Sequence, residues 1–305
     1  MDFKTPLRYP GGKSRALKFL SPKMPEDYSQ FVEPFVGGGS VFLSAKKNNP
    51  DGSFWINDLY YNLYCFWVAL RDQPDNLVES LQKIKNRSRE LLTKKQIKEM
   101  NLPKKDKSIL TKRITQNARK VFEETKENIK TTNSDFERAV NFFVLNKCSF
   151  SGLTETGTFS AQASMQNFSD NSIERLAKVS RSIQGVRITN LDYADVFSQL
   201  KKDSFVFLDP PYDILKGKKK KSNALYGKSG HMHKGFDHER FAKECNTIDK
   251  DHKFMITYNN NETLRKAYSN YNQELWDLTY TMRSTGDYMK DQKERKELLI
   301  RNYGQ

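Results

Sequence analysis

The sequence predicts a doubly wound α/β fold: a mostly parallel sheet of seven strands, interrupted by a long, mainly helical insertion. Three observations carry that expectation. Gln30 to Val36 ends in Gly37-Gly38-Gly39 and leads through a helix-like stretch to the apolar run Phe54-Trp55-Ile56. Strand, glycine turn, helix and strand in this order open a doubly wound sheet. From Leu59 to about Arg175 this alternation stops and helical spacing takes over, and from Val186 onward strand-like and helix-like runs alternate again. A chain of 305 residues has room for one large domain, or for a core domain with an insertion.

The elements follow in order. Gln30 to Val36 alternates and is read as the first strand; Ser40 to Lys46 begins a helix; Phe54-Trp55-Ile56 is the second strand and stops at Asn57-Asp58. Leu63 to Leu70 and Leu77 to Ile84 have helical spacing, a charge-rich stretch follows, and Phe136 to Leu145 is a further apolar helix. Ser149 to Phe168, rich in Gly, Ser and Thr with spaced Phe residues, is expected to be a hairpin or a long loop. Val186-Arg187-Ile188 and Phe205 to Leu208 are the next strands, then a helix around His238 to Ile248 and a strand at Phe254 to Tyr258. Glu274 to Tyr280 and Glu297 to Asn302 are read as a closing strand pair. Gly217 to Gly235 is low in apolar residues and is expected to be a mobile loop.

Composition narrows the class. Lys plus Arg is 52 and Asp plus Glu is 37, a net charge of +15, which suits a polyanionic partner through counterion release from phosphates. The excess is local: Gln82 to Lys130 holds sixteen Lys/Arg against six Asp/Glu, and Lys216 with Lys218 to Lys221 adds five more. Such concentration fits a docking surface better than a uniformly basic coat. Cys65, Cys148 and Cys245 are scattered, with no Cys-x-x-Cys pair, so the sequence indicates neither a zinc site nor a disulfide framework, and the compartment is expected to be reducing. The N-terminal residues carry no apolar signal segment and no run of eighteen apolar residues occurs. Export and membrane insertion are therefore not expected, and a cytoplasmic location is.

The most informative motif is Asp209-Pro210-Pro211-Tyr212, directly after the run Phe205 to Leu208. Open α/β sheets place their ligands at such strand ends. Asp209 and the Pro210 carbonyl can each accept one hydrogen of an exocyclic amine; the prolines fix φ and bring no competing donor; Tyr212 offers a ring face on which a base can stack. Taken alone, the same four residues also read as a proline turn after a core strand.

Glu33-Pro34-Phe35-Val36-Gly37-Gly38-Gly39-Ser40 lies between a strand and a helix, where glycines let a ligand approach the backbone. A dinucleotide fingerprint would need a third spaced glycine where Phe42 stands, so no pyrophosphate cradle is built. Asp58, nineteen residues past Gly39, is placed to accept two ribose hydroxyls. Together these suit a nucleoside cofactor without a phosphate requirement, such as S-adenosylmethionine. Arg8-Tyr9-Pro10-Gly11-Gly12-Lys13-Ser14 superficially matches a P-loop, but Leu7 stands where the first glycine belongs, and no strand precedes it. A loop that folds over a cofactor, lined by Tyr9 and Lys13, is the better use. His231 and His233 flank a single residue with no acid or Cys to complete a metal site, so no metal is expected.

The order Tyr9-Pro-Gly-Gly-Lys13, Glu33-Pro-Phe-Val-Gly-Gly-Gly39, Asn57-Asp58, Leu145-Asn-Lys-Cys-Ser-Phe-Ser-Gly152 and Asp209-Pro-Pro-Tyr212 resembles the DNA adenine-N6 methyltransferases of the Dam type, from Leu7 to about Tyr303. The resemblance implies a class I, Rossmann-like methyltransferase domain at 1–62 and 176–305 with an inserted target-recognition domain at 63–175. It implies S-adenosylmethionine as donor and S-adenosylhomocysteine as product. The residues matched to the cofactor site are Tyr9, Lys13, Glu33, Phe35, Gly37, Gly39, Asp58 and Asp209, with Asp192-Tyr193 at the cofactor adenine. Asn146 to Leu153 resembles the start of the family's recognition hairpin, which makes Lys147, Phe150 and Ser151 candidates at the DNA, Phe150 as a wedge or stacking ring or else as a hairpin core residue. Dam itself carries an arginine shortly after the Gly-Leu pair; here Thr154-Glu155-Thr156 follow, so a GATC target is not carried over.

The implied reaction is methyl transfer to the N6 of an adenine flipped out of double-stranded DNA, with Asp209, Pro210, Pro211 and Tyr212 at the amine. Lys218, Lys219, Lys220 and Lys221 would lie beside this loop and could close on the substrate strand. A restriction endonuclease acting on the same site is a partner in function, with no direct contact implied. Two competing readings remain at this stage: an amino-methyltransferase acting on cytosine N4 or RNA, and a sequence-specific DNA-binding protein that has lost catalysis. Intact Tyr9, Lys13, Asp58 and Asp209 count against the second.

Overall fold

The computed structural model describes residues 4–89, 100, 102–211, 236–277 and 296–304. Its sheet has seven strands, β1 Gln30–Glu33, β2 Phe54–Asn57, β3 Arg187–Thr189, β4 Ser204–Leu208, β5 Lys253–Asn259, β6 Asn272–Asp277 and β7 Lys296–Arg301, in the order β3-β2-β1-β4-β5-β7-β6. β1 pairs in parallel with β2 and β4, and β4 with β5, while β7 runs antiparallel to both β5 and β6. Every residue of β1, β2 and β4 is buried. That is why Phe54 to Ile56 of β2 and Phe205 to Leu208 of β4 read as apolar runs: both faces of a parallel sheet are covered. The strand order reverses between β1 and β4, and the carboxyl ends of two such strands frame a crevice.

The chain divides into two compact units. One comprises Lys13–Leu59 and the described residues from Thr189 onward, and includes the paired strands β1, β2, β4, β5, β6 and β7. Its core packs Val32, Val206, Ile256 and Leu298 of the sheet against Phe241, Cys245 and Ile248 of the helix His238–Ile248. That helix starts where Asp237 accepts hydrogen bonds from the backbone N–H groups of Glu239 and Arg240, at 3.1 and 2.9 Å.

The other unit comprises residues 4–12 and Tyr60–Ile188. Its long helices are Tyr61–Asp72, Pro74–Arg89, Lys104–Thr131, Asp135–Cys148 and Asp170–Ser182. Local chemistry sets their ends. Pro74 opens its helix at a position whose N–H would be unpaired in any case; Ser134 caps the next turn by accepting from Glu137 N at 3.3 Å; Ser169 and Ser172 form a reciprocal capping box. Phe66 stacks on Phe143 at 5.7 Å, and Ala139 to Cys148 are all buried. Asn146 binds the N-terminal segment as a strand would: its Oδ1 accepts from Arg8 N at 3.0 Å and its Nδ2 donates to Arg8 O at 2.7 Å.

The expected strands and helices are found to within a few residues, and Ser149 to Phe168, expected as a hairpin or a long loop, begins as a loop and adds a short helix. A single bridge joins Ser149 to Phe159, two 3-10 turns lie between them, and Ala161–Gln166 is a helix. Ser151 and Thr154 take left-handed backbone angles, φ 53° and 50°, which breaks the extended run that paired strands would need.

Candidate active site

The carboxyl ends of β1, β2, β4 and β5 gather most of the side chains singled out above. β1 ends at Glu33, and the chain turns through Gly37 and Gly39, whose φ values of 48° and 69° are those that glycine adopts without strain. Helix Ser40–Asn48 follows without a side-chain cap. Asp58, just past β2, accepts from Gly37 N at 2.9 Å and so fixes the turn against the neighbouring strand end. Asp58 is half-buried. Burial pushes its carboxyl up to about 7, with the Gly37 hydrogen bond pulling the other way. Glu33 is buried, its Oε2 has no hydrogen-bond partner among the described residues, and its carboxyl is pushed well above the ordinary range by burial and by the nearby charges of Asp209 and Asp58.

Asp209 follows β4. Lys13, in the short 3-10 turn Lys13–Arg15 and 2% exposed, places its ammonium 2.6 Å from Asp209 Oδ1 and 2.7 Å from Oδ2. The Thr257 hydroxyl on β5 donates to Asp209 Oδ1 at 2.7 Å. Pro210 is buried and Pro211 half-buried. Tyr212, Lys218 to Lys221, His231 and His233 lie outside the described residues.

Asp192 caps the short helix Tyr193–Phe197 by accepting from Ala194 N at 3.0 Å, and it pairs with Arg240 at 3.0 Å. Tyr193 is buried and meets Phe241 edge-on at 5.0 Å and Phe35 at 5.8 Å, while Arg240 lies over its ring at 5.2 Å. Phe35 is half-buried, so an aromatic edge stands directly after β1.

Two residues at these strand ends had no role assigned from sequence. One is Thr257. The other is Asn57, which donates to Pro34 O at 2.9 Å and Leu191 O at 3.0 Å and accepts from Leu191 N and Thr189 Oγ1, both at 2.8 Å. Asn57 thereby ties the loops after β1, β2 and β3 together.

In the helical unit, Tyr9 opens a turn closed by Gly12 N donating to Tyr9 O at 3.1 Å. Phe150 is 61% exposed at the head of a 3-10 turn, with half-buried Ser151 beside it. Lys147, a candidate at the DNA by resemblance, is turned inward. It is 7% exposed, donates to Pro6 O at 2.5 Å and lies over the Phe143 ring at 5.1 Å. Burial, with Arg175 and Arg8 nearby, depresses its ammonium to about 7. The cation holds the N-terminal segment because it follows Phe143 by one helical turn and shares that residue's buried face.

Chemically, the strand ends suit a small cationic nucleoside ligand. Asp58 can accept hydroxyl hydrogens, the bare backbone of Gly37 and Gly39 allows close approach, and the unpartnered Glu33 oxygen can accept a donor. Among the described residues no group of three or more His, Cys, Asp or Glu is placed to hold a metal, and no helix is long and apolar enough to cross a membrane.

Residues 9–282 match the family model described as D12 class N6 adenine-specific DNA methyltransferase. The chain is 24% identical to the Type II methyltransferase M.MjaIII of Methanocaldococcus jannaschii, over 99% of this chain and 100% of that protein. It is 22% identical to the Type II methyltransferase M1.LlaDCHI of Lactococcus lactis subsp. cremoris, over 97% and 94% of the two chains. It is 27% identical to the DNA adenine methylase of Salmonella typhi, over 68% of this chain and 65% of that one.

Proposed function

Because the chain belongs to the D12 class N6 adenine-specific DNA methyltransferase family, we propose that the ends of β1 and β2 hold S-adenosylmethionine and that Asp209 and Pro210 receive the amine of a flipped-out adenine. The enzyme methylates adenine N6 in DNA. The single observation that carries the site assignment is the Asp209 carboxylate at the end of β4, on the strand next to β1 with its glycine turn and Glu33.

The donor supplies an electrophilic methyl group on a sulfonium when bound. Asp58 accepts from its ribose hydroxyls, and the Gly37–Gly39 turn lets it approach the backbone. Phe35, with the adjoining Asp192 and Tyr193, borders its adenine ring. Glu33 and Asp58 favour a cationic ligand, and a bound cation favours their charged forms in return.

The adenine amine is a weak nucleophile because its lone pair is delocalised into the ring. With one N–H on Asp209 and the other on the Pro210 carbonyl, the nitrogen is held in an orientation that frees this lone pair for attack. Orientation of two bound molecules contributes much of the rate. Asp209 need not be a strong base, since the amine proton becomes acidic only once the nitrogen carries the new methyl. Tyr212 stacks on the base, and extrusion from the duplex supplies access. The helical unit, whose Lys104–Thr131 helix exposes Lys104, Lys105, Lys112, Arg113, Arg119 and Lys120, meets the DNA phosphates, with Phe150 and Ser151 at the place in the duplex that the flipped base leaves.

Asp209→Ala tests this assignment. Methyl transfer is expected to be lost while affinity for duplex DNA stays within about threefold of wild type. Undiminished turnover in this variant would remove Asp209 from the reaction.

A further inference from the structure

From the hydrogen-bond geometry around Asp209 we infer that Thr257 is a positioning residue: its hydroxyl, with Lys13, fills Asp209 Oδ1 and so leaves Oδ2 as the oxygen that receives the substrate amine. The inference rests on the assignment of Asp209 as the amine acceptor and adds which oxygen acts and what selects it.

The placement follows from register. β4 and β5 are adjacent and parallel, with Leu208 opposite Ile256. The residues one step beyond therefore lie side by side, Asp209 just past the end of β4 and Thr257 still within β5. Thr257 is fully buried on a strand that is buried from Phe254 to Tyr258. Its hydroxyl has one hydrogen. The Leu208 carbonyl, at 3.5 Å, is at the outer limit for a bond, whereas Asp209 Oδ1 at 2.7 Å is ideal. A buried hydroxyl keeps such a partner, since losing it leaves an unpaired polar group.

Acceptor capacity does the rest. A carboxylate oxygen has two in-plane lone pairs. Oδ1 takes Thr257 at 2.7 Å and Lys13 at 2.6 Å, which occupies both. Oδ2 takes Lys13 at 2.7 Å and no other described residue. An amine hydrogen arriving at Asp209 finds its acceptor on Oδ2, and the Thr257 bond stops the carboxylate from rotating to offer the other oxygen. Lys13 alone cannot do this, because it grips both oxygens alike. The hydroxyl, on a rigid strand, supplies the asymmetry.

Thr257→Val keeps the shape and the strand preference and removes only the hydroxyl. The expected result is a fall in kcat of about tenfold or more, because a hydrogen bond to a charged group orients the acceptor. KM for DNA and donor affinity by calorimetry should stay within about twofold. Thr257→Ser should recover kcat to within about threefold of wild type. A merely structural role would lower donor affinity together with kcat, and serine would not rescue selectively. Should valine not fold, Thr257→Ala, verified by donor binding, takes its place in the comparison with serine. Wild-type kcat in the valine or alanine variant, no rescue by serine, or a loss confined to KM would each overturn the inference. Wild-type protein is assayed alongside: if it forms no 6-methyladenine, the fault lies with the proposed function and not with Thr257.

Discussion

Replacing Asp58 by Asn should stabilise the ligand-free protein at alkaline pH while abolishing donor binding. The Asp58 carboxyl is held at about 7 against an ordinary value of 3.8. Between roughly pH 4 and pH 7 the folded protein therefore retains a proton that the unfolded chain has released, and stability falls as pH rises through that window. At about 1.4 kcal/mol per pH unit, the gap sets a ceiling of about 4 kcal/mol. Partial contact with water reduces this to about 2 kcal/mol. Asparagine removes the charge but keeps an oxygen for Gly37 N, now 2.9 Å from the carboxylate. Urea unfolding from pH 4.5 to 8.5, without donor, is the assay. The variant should match wild type at the acid end and exceed it by about 2 kcal/mol at the alkaline end. Equal stability at pH 8, or a gain independent of pH, would refute the reasoning that burial of this charge is the cost of the donor site.

Further predictions concern the helical unit. Gly152→Ala should destabilise by about 1–3 kcal/mol in thermal unfolding, because a Cβ there would overlap the Arg8 carbonyl oxygen at a φ of 74°. Phe150→Ala should change unfolding free energy by less than about 0.5 kcal/mol, since the ring is 61% exposed, yet lower methylation of duplex DNA more than that of a single strand. Changing Lys104, Lys105, Lys112 and Lys120, all exposed, to Gln should weaken DNA binding without altering sequence preference. Each lost phosphate contact should reduce the slope of log affinity against log salt by about 0.9.

Most of the sheet was legible in the sequence. Strands buried on both faces read as continuous apolar runs, and Phe205 to Leu208 or Phe254 to Tyr258 can hardly be mistaken. The acids at the strand ends were also legible, since a carboxylate after such a run has few structural reasons to be there. Thr257 was not, because threonine is an ordinary strand residue and only the β4–β5 register brings it to Asp209. Asn57 looked like half of a strand end, and three of its four side-chain hydrogen bonds reach Thr189 and Leu191, more than a hundred residues away. Lys147 became a candidate at the DNA through the resemblance of Asn146 to Leu153, although its spacing from Phe143 already put it on the buried face. Between the hairpin and the long loop expected for Ser149 to Phe168 the sequence could not choose, because Gly, Ser and Thr suit 3-10 turns as well as hairpins.

The most direct measurement is nucleoside analysis of duplex DNA incubated with the purified protein and S-adenosylmethionine labelled in its methyl group. All transferred label should appear in N6-methyladenine and none when Asp209→Ala replaces the wild type. Label in N4-methylcytosine, or its absence from DNA altogether, would contradict the account.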